Sequence, residues 1–296
     1  MNIALSLDDN YVMPCLVCIT SIFENNKNNK CNIYLITAGL KKENVAKFTK
    51  LASLYNQRVL IKVISPDLYA NLPFYERYTF ATYNRFMIPY VVDESKILYL
   101  DADIIVRKNL NSLWSKNIKG FACAVVEDQR GDDVRNHNRL RIETPYFNGG
   151  VQLMNLDYWR ANDISKRLIQ YLKDYPERCP YVDQDASNAC LGGKVLFLDY
   201  QYNVQEDLFL PKNKLLIHYT KWKNIELAKE DPAIVHFCTA LKPWYKECCH
   251  PFKSEFVQYA KMYDFVGYRE TRYHSVGFRM VYPFFYFFSG LLSKFK

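Results

Sequence analysis

Two carboxylates stand inside what otherwise reads as a buried strand. The stretch Ile97-Leu-Tyr-Leu-Asp-Ala-Asp-Ile-Ile-Val106 is apolar and strand-forming except for Asp101 and Asp103, which have only Ala102 between them. In extended backbone, residues two apart project to one face, so the two acids would point together. Burying unpaired carboxylates is costly, on the order of several kcal/mol each. Protonation of one acid, basic partners or a divalent cation would offset that cost. A purely structural arrangement would have Asp101 capping a loop and Asp103 paired to Arg107. A calcium loop of the EF-hand type is excluded, because its sixth position would be Val106 and its twelfth Ser112. A cation held by only two protein carboxylates keeps open positions that diphosphate oxygens fill, which predicts a nucleotide-diphosphate ligand.

Three other clusters carry residues of the right types. His236 ends the short apolar run Ile234-Val-His236, and Lys242 follows before Pro243-Trp244. A histidine after a strand more often packs than ligates, but Lys242 nearby suggests a phosphate-facing loop with His236 as an imidazole ligand. Two carboxylates, one imidazole and diphosphate oxygens suit Mn²⁺ better than Mg²⁺. In Phe147-Asn-Gly-Gly-Val-Gln152, the glycines let backbone approach a ligand closely. Asn148 there offers both donor and acceptor to a hydroxyl-rich substrate. Asp183-Gln-Asp185 falls at a predicted helix start, where Asp183 would serve equally well as an ordinary acidic cap. Glycine loops for phosphate are absent. Lys194 after Gly192-Gly193 has Asn188 where a phosphate loop needs its first glycine, and no GxGxxG follows the first strand.

The elements that must position these residues alternate. Residues 2–7, 32–37, 59–63 and 96–101 read as strands, with helices over 14–25 and 41–55 between them. Further strands are predicted over 121–126 and 149–155, a helix from Leu156 to about Asp174, and a short helix from Asp183 to Gly192-Gly193. Strands alternating with helices argue for an α/β fold with a mixed, mostly parallel sheet covered on both faces. Such sheets bind ligands beyond the carboxyl ends of their strands, where Asp8-Asp9-Asn10-Tyr11 and the Asp101/Asp103 pair both fall.

The 296 residues can bury a large core, and a formal charge of +8 suits an anionic partner: nucleic acid, nucleotide or acidic membrane surface. The start of the chain lacks the pattern of a signal peptide. Nine scattered cysteines, including Cys15 and Cys18 on one helical face, fit buried packing in a reducing compartment, which points to the cytoplasm. From Tyr268 onward aromatics mix with Arg269, Arg272, Arg279, Lys294 and Lys296. The uncharged run 280–292 is too short to span a bilayer, so this tail is expected to lie in a membrane interface.

In order along residues 1–250, the chain carries Asp8-Asp-Asn-Tyr11, Thr82-Tyr-Asn-Arg85, Tyr99-Leu-Asp-Ala-Asp103, Phe147-Asn-Gly-Gly-Val151, Asp183-Gln-Asp185, and His236 with Lys242-Pro-Trp244. This series resembles glycosyltransferase family 8, retaining sugar transferases with the nucleotide-binding, Rossmann-like GT-A fold, and within it the bacterial lipooligosaccharide galactosyltransferases. The resemblance implies a catalytic domain over 1–250, and the basic, aromatic composition of the rest leads to the expectation of a membrane-attaching segment over 251–296. It implies Asp101, Asp103 and His236 as ligands of Mn²⁺, Asp8, Asn10 and Tyr11 at the uridine, and Lys242 at the diphosphate. Arg85, Asn148, Asp183 and Gln184 would surround the sugar, with Gln184, Asp183 and Asp103 as the catalytic group. The donor would be UDP-galactose or UDP-glucose and the acceptor a glycolipid or oligosaccharide; nucleic acid is not an expected partner. The enzyme would sit at the inner face of the cytoplasmic membrane. A self-glucosylating or protein-glycosylating enzyme and a non-catalytic UDP-sugar binder are the alternatives. Thr239 stands where the family often has glycine, and Glu127-Asp128 replaces a single expected acid, with Asp128 the preferred of the two.

Overall fold

In the computed structural model the residues described are 1–69, 72, 80–128, 131–209 and 219–263. The aromatic, basic tail from Tyr268 onward lies outside them. Among the described residues ten strands form: β1 Asn2–Ser6, β2 Asn32–Thr37, β3 Arg58–Val63, β4 Lys96–Leu100, β5 Ile104–Val106, β6 Cys123–Glu127, β7 Phe147–Asn155, β8 Val195–Phe197, β9 Val204–Gln205 and β10 Ile234–His236. Seven make a mixed sheet in the order β3-β2-β1-β4-β7-β6-β8, and β5-β10-β9 make a second, smaller one. In the large sheet every pairing is parallel except those of β7 with β4 and β6. The α/β class and mostly parallel sheet expected from the alternating elements are what the chain adopts.

Alternate side chains of the central strands feed two cores, as a period of two dictates. Ile3, Leu5, Leu98 and Leu100 pack with Leu16, Ile19 and Phe23 of the helix Val12–Asn25. Ala4, Tyr34, Ile97 and Tyr99 face the opposite way, onto Trp159, Leu168 and Val182 from the helices Leu156–Ala161, Ile164–Asp174 and Val182–Leu191. Because both faces are covered, β1 and β4 read as near-continuous apolar runs.

Three expectations need correction. Asp101 and Asp103 do not share a strand: β4 stops at Leu100, and the pair occupies the turn that hands the chain from the large sheet to β5 of the small one. The helix expected from Leu156 to about Asp174 is two helices. Asp163 adopts the left-handed conformation (φ 49°) and breaks the hydrogen-bond ladder there. Asp183 is not a cap. The helix begins at Val182 with Tyr181 in the cap position, and Asp183 turns inward to a guanidinium.

The chain remains part of one packed body past residue 250. Phe256 and Ala260 of the helix Lys253–Met262 share a core with Val17, Ile105, Val235, Phe237 and Trp244. Among the described residues no helix is long and apolar enough to cross a membrane.

Edge strand β5 follows directly on Asp103, and the helix Val12–Asn25 seals it. Ser21 Oγ accepts from Val106 N at 2.9 Å and donates to Cys18 O at 2.6 Å, while Asn25 Nδ2 donates to Val106 O at 2.9 Å. Ser21→Ala would strand a buried N–H. It is expected to lower unfolding free energy by about 1–3 kcal/mol, read as a lower urea midpoint at unchanged m-value.

Candidate functional site

The site forms where the two sheets meet, at the carboxyl ends of β1 and β4. Since β7 runs antiparallel to β4, with Leu100 opposite Val151, its first residues arrive at that same end. Asp101 N donates to Gly150 O at 2.9 Å. β10 runs antiparallel to β5 with His236 opposite Ile104, and Phe237 N donates to Asp103 O at 3.0 Å. Strand register alone thus brings Asn148-Gly-Gly and His236 to the two acids.

Asp101, Asp103 and His236 present ligand atoms that all lie within 4.8 Å of one another. His236 Nε2 is 3.3 Å from Asp103 Oδ1 and 3.7 Å from Asp101 Oδ2. Gly150 makes this approach possible. A Cβ there would sit 2.2 Å from His236 Cε1 and 2.8 Å from Asp101 Oδ2, distances no side chain tolerates. Two carboxylates and an imidazole, closely facing and only partly exposed, are a donor set that fits a divalent transition-metal ion.

Each acid also has a cation. Lys242 Nζ donates to Asp103 Oδ2 and to Phe237 O, both at 2.6 Å. Burial opposes charge on both groups, yet the pair wins. Asp103 is held well below the usual carboxylate range chiefly by Lys242, and Lys242 is raised above the ordinary lysine range by Asp103 and Tyr11. Arg85, from the 3₁₀ stretch Phe80–Met87, lies over the Tyr99 ring at 4.5 Å. Its Nη2 donates to Asp101 Oδ1 at 2.9 Å, its Nη1 to Gly149 O at 2.7 Å, and its Nε is 2.9 Å from Asp183 Oδ2. Burial pushes the Asp183 carboxyl up to about 6, with Arg85 opposing and Asp101 adding to the shift.

Gln184 is held on all sides. Its Oε1 accepts from Asn148 Nδ2 at 3.2 Å and Gly149 N at 3.0 Å; its Nε2 donates to Asp128 Oδ2 at 3.1 Å and Tyr146 OH at 3.2 Å. Tyr146 OH in turn donates to Asp185, a wholly buried carboxylate gripped by Arg139 through both oxygens and by Tyr181 N. Of the neighbouring acids, Asp128 reaches Gln184, whereas Glu127 pairs with Lys221 at 2.8 Å.

At the mouth, Asp8 caps the turn Asp9–Tyr11 by accepting from Asn10 N at 2.9 Å, and the Asn10 side of that turn is exposed. Tyr11 meets Trp244 edge-on at 5.9 Å, and burial pushes its hydroxyl up to about 12. Arg85, Asn148, Asp183, Gln184, Asp101, Asp103, His236 and Lys242 therefore form one connected cluster. Asp8 and Asn10 bond to each other beside it. Asn203, Tyr146 and Arg139 belong to the same network and carry no sequence signal, since no motif or spacing singles them out. The cysteines do not enter it as a redox pair: all nine are free thiols, and Cys15 and Cys18 are fully buried with thiols pushed up by that burial.

A sequence profile of glycosyl transferase family 8 matches residues 2–248. The lipopolysaccharide 1,3-galactosyltransferase of Salmonella typhimurium is 30% identical over 267 residues, spanning 87% of this chain and 77% of that protein. General stress protein A of Bacillus subtilis is 28% identical over 265 residues, or 88% of this chain and 92% of that one. A solved structure of the galactosyltransferase LgtC with donor and acceptor sugar analogues superposes with a TM-score of 0.80 at 22% identity. It covers 95% of this chain and 99% of that chain, a likeness of fold.

Arg85 is the counter-ion of both Asp101 and Asp183. Arg85→Leu is expected to cost about 3–5 kcal/mol of stability, because it leaves carboxylates uncompensated in a buried site. Adding Asp183→Asn should recover part of that loss. Urea unfolding of the two single variants and the double variant measures the coupling.

Proposed function

The chain belongs to glycosyl transferase family 8, and from that premise we propose that it moves galactose or glucose from a UDP-sugar to a saccharide acceptor with retention of configuration. The observation that carries the proposal is the convergence of Asp101, Asp103 and His236 within 4.8 Å, with Lys242 alongside. Those three residues would hold the cation, Mn²⁺ by the mixture of carboxylate and imidazole donors. Bound there, a divalent cation would neutralise negative charge on the diphosphate as it departs.

The chain's own residues have complementary tasks. Lys242 supplies a fixed positive charge beside Asp103, where it would meet diphosphate oxygens. Tyr11, next to Trp244, offers an aromatic face for the uracil, with Asp8 and Asn10 on the same turn. Arg85, Asn148, Asp183 and Gln184 would line the sugar. Asp128 joins that wall through its bond to Gln184.

Retention requires a covalent glycosyl-enzyme or attack from the face that UDP leaves. Gln184 is badly placed to be a nucleophile. Its carbonyl already accepts two hydrogen bonds, and an amide is weak in that role. Asp183 is paired with Arg85. Front-face transfer follows: the bond from sugar C1 to the phosphate oxygen breaks, the acceptor oxygen bonds to C1, and the acceptor's proton passes to the departing phosphate. Gln184 and Asp183 orient the sugar rather than bond to it.

Lipopolysaccharide transferases among the relatives support a glycolipid acceptor. A basic, aromatic tail beyond the described residues suits the surface of the membrane that carries it, at the cytoplasmic face.

Incubation with Mn²⁺ and UDP-galactose, UDP-glucose or UDP-N-acetylglucosamine, read as UDP release, tests the reaction. Asp103→Ala is expected to lower the rate by about 10²–10³, the scale of losing one preorganised electrostatic element. Undiminished turnover in that variant, or in a chelator, overturns the metal-dependent reading. A glycosylated Asp or Glu trapped in the parent enzyme overturns front-face transfer. Truncation before Tyr268 is expected to move the protein into the soluble fraction while transfer to short soluble acceptors persists. An unchanged distribution between fractions argues against membrane attachment.

A further inference from the structure

The metal side and the sugar side of the site meet at one side chain that the motifs do not include. Asn203 is wholly buried. It follows the 3₁₀ turn Tyr200–Tyr202 and precedes β9, which pairs with the strand that carries His236. Its Nδ2 donates to Asn148 Oδ1 at 2.9 Å, and its Oδ1 lies 3.1 Å from His236 Nδ1.

A backbone group settles which of these amide atoms is which. Gly150 N–H can only donate, and it donates to the Asn148 atom 2.9 Å away, so that atom is an oxygen. The Asn203 atom facing the same oxygen must then be the NH₂, which leaves the Asn203 carbonyl facing His236. A carbonyl only accepts, so His236 Nδ1 must carry the hydrogen, and in the neutral ring Nε2 is a bare lone pair. Nε2 is the nitrogen that looks toward Asp103 Oδ1 and Asp101 Oδ2. Three acceptors facing one another in a partly buried site make a donor set that a cation placed between them would satisfy. On the β7 side only a glycine leaves room for the ring, since a Cβ at position 150 would come within 2.2 Å of Cε1.

We propose that Asn203 is a positioning residue that fixes the His236 tautomer with Nε2 presented to the cation. Through Asn148 it ties that orientation to Gln184 on the sugar side. This rests on the metal-dependent reading above and names the group outside the ligand set that makes the site competent. The chain of bonds runs Gly150 N–H, Asn148, Asn203, His236 on one side, and Asn148, Gln184, Asp128 on the other. Outer hydrogen bonds of this kind commonly set metal affinity by about 10–100-fold.

Two measurements on the full chain test it. Free Mn²⁺, followed by its EPR signal during titration at saturating UDP, gives metal affinity without turnover. Asn203→Ala is expected to weaken it about 10–100-fold. Asn203→Asp, which keeps an acceptor for His236 but sets an oxygen against Asn148 Oδ1, should bind Mn²⁺ at least as well as the parent yet release UDP more slowly. A folded Asn203→Ala protein with parental Mn²⁺ affinity, or an Asn203→Asp protein with parental turnover, overturns the proposal. Ring ¹⁵N shifts of His236 in the metal-free parent, at a pH where the ring is neutral, read the tautomer directly and need no variant to fold. A proton on Nδ1 supports the inference and one on Nε2 overturns it. A parent that shows the Nδ1–H tautomer but ignores Mn²⁺ refutes the metal-dependent function and, with it, the role given to Asn203, while one that binds Mn²⁺ with the other tautomer refutes the role of Asn203 alone.

Discussion

The arrangement depends on holding Asp101, Asp103 and His236 face to face. The two carboxylates repel, and burial strengthens the repulsion because little water remains to screen it. The fold answers with two opposing cations, Arg85 on the outer side of Asp101 and Lys242 on the outer side of Asp103. Each cation occupies one carboxylate oxygen and leaves the other, Asp101 Oδ2 or Asp103 Oδ1, turned toward His236 Nε2. The inward-facing oxygens and the imidazole are thereby preorganised for a positive ligand. Lys242 cannot relax away without losing Phe237 O as well.

That electrostatic centre is only as rigid as its supports. The acids sit in a turn, the least constrained kind of segment, yet this turn is pinned at both ends by strands of different sheets. Asp101 N is tied to Gly150 O of β7, and Asp103 O is tied to Phe237 N just beyond β10. Helix Val12–Asn25 holds β5 from its open edge through Ser21 and Asn25. Behind Gln184 the buried Asp185 carboxylate, paired with Arg139, holds Tyr146, and Tyr146 holds the Gln184 amide. A site on loops gains the precision of a sheet because each loop residue bonds back to a strand.

Much of the framework was legible in advance. β1, β2, β3, β4 and β7 fall within a residue or two of the expected strands, because apolar runs bounded by turn residues report local burial and spacing. The helix after β7 misled, since its periodicity runs smoothly through Asn162-Asp163 and a single left-handed residue leaves no trace in the pattern. The acid pair misled in a more useful way. Its residue types correctly marked a special position, but its extended-looking neighbours concealed that β4 and β5 belong to different sheets. Asp183 read as a cap because Asp is a common cap, and nothing local announces a buried guanidinium from residue 85.

By itself the sequence determined the kinds of groups present, their order, and the alternation that builds a two-faced sheet, because those depend on neighbours a few residues apart. Only the tertiary structure decided which atoms meet. Lys242 and Asp103 are separated by 139 positions, Asn203 and Asn148 by 55, and Asn203 and His236 by 33. Such pairings are set by strand register and sheet order, which no local spacing encodes. The tautomer of His236 therefore follows from a glycine N–H on another strand.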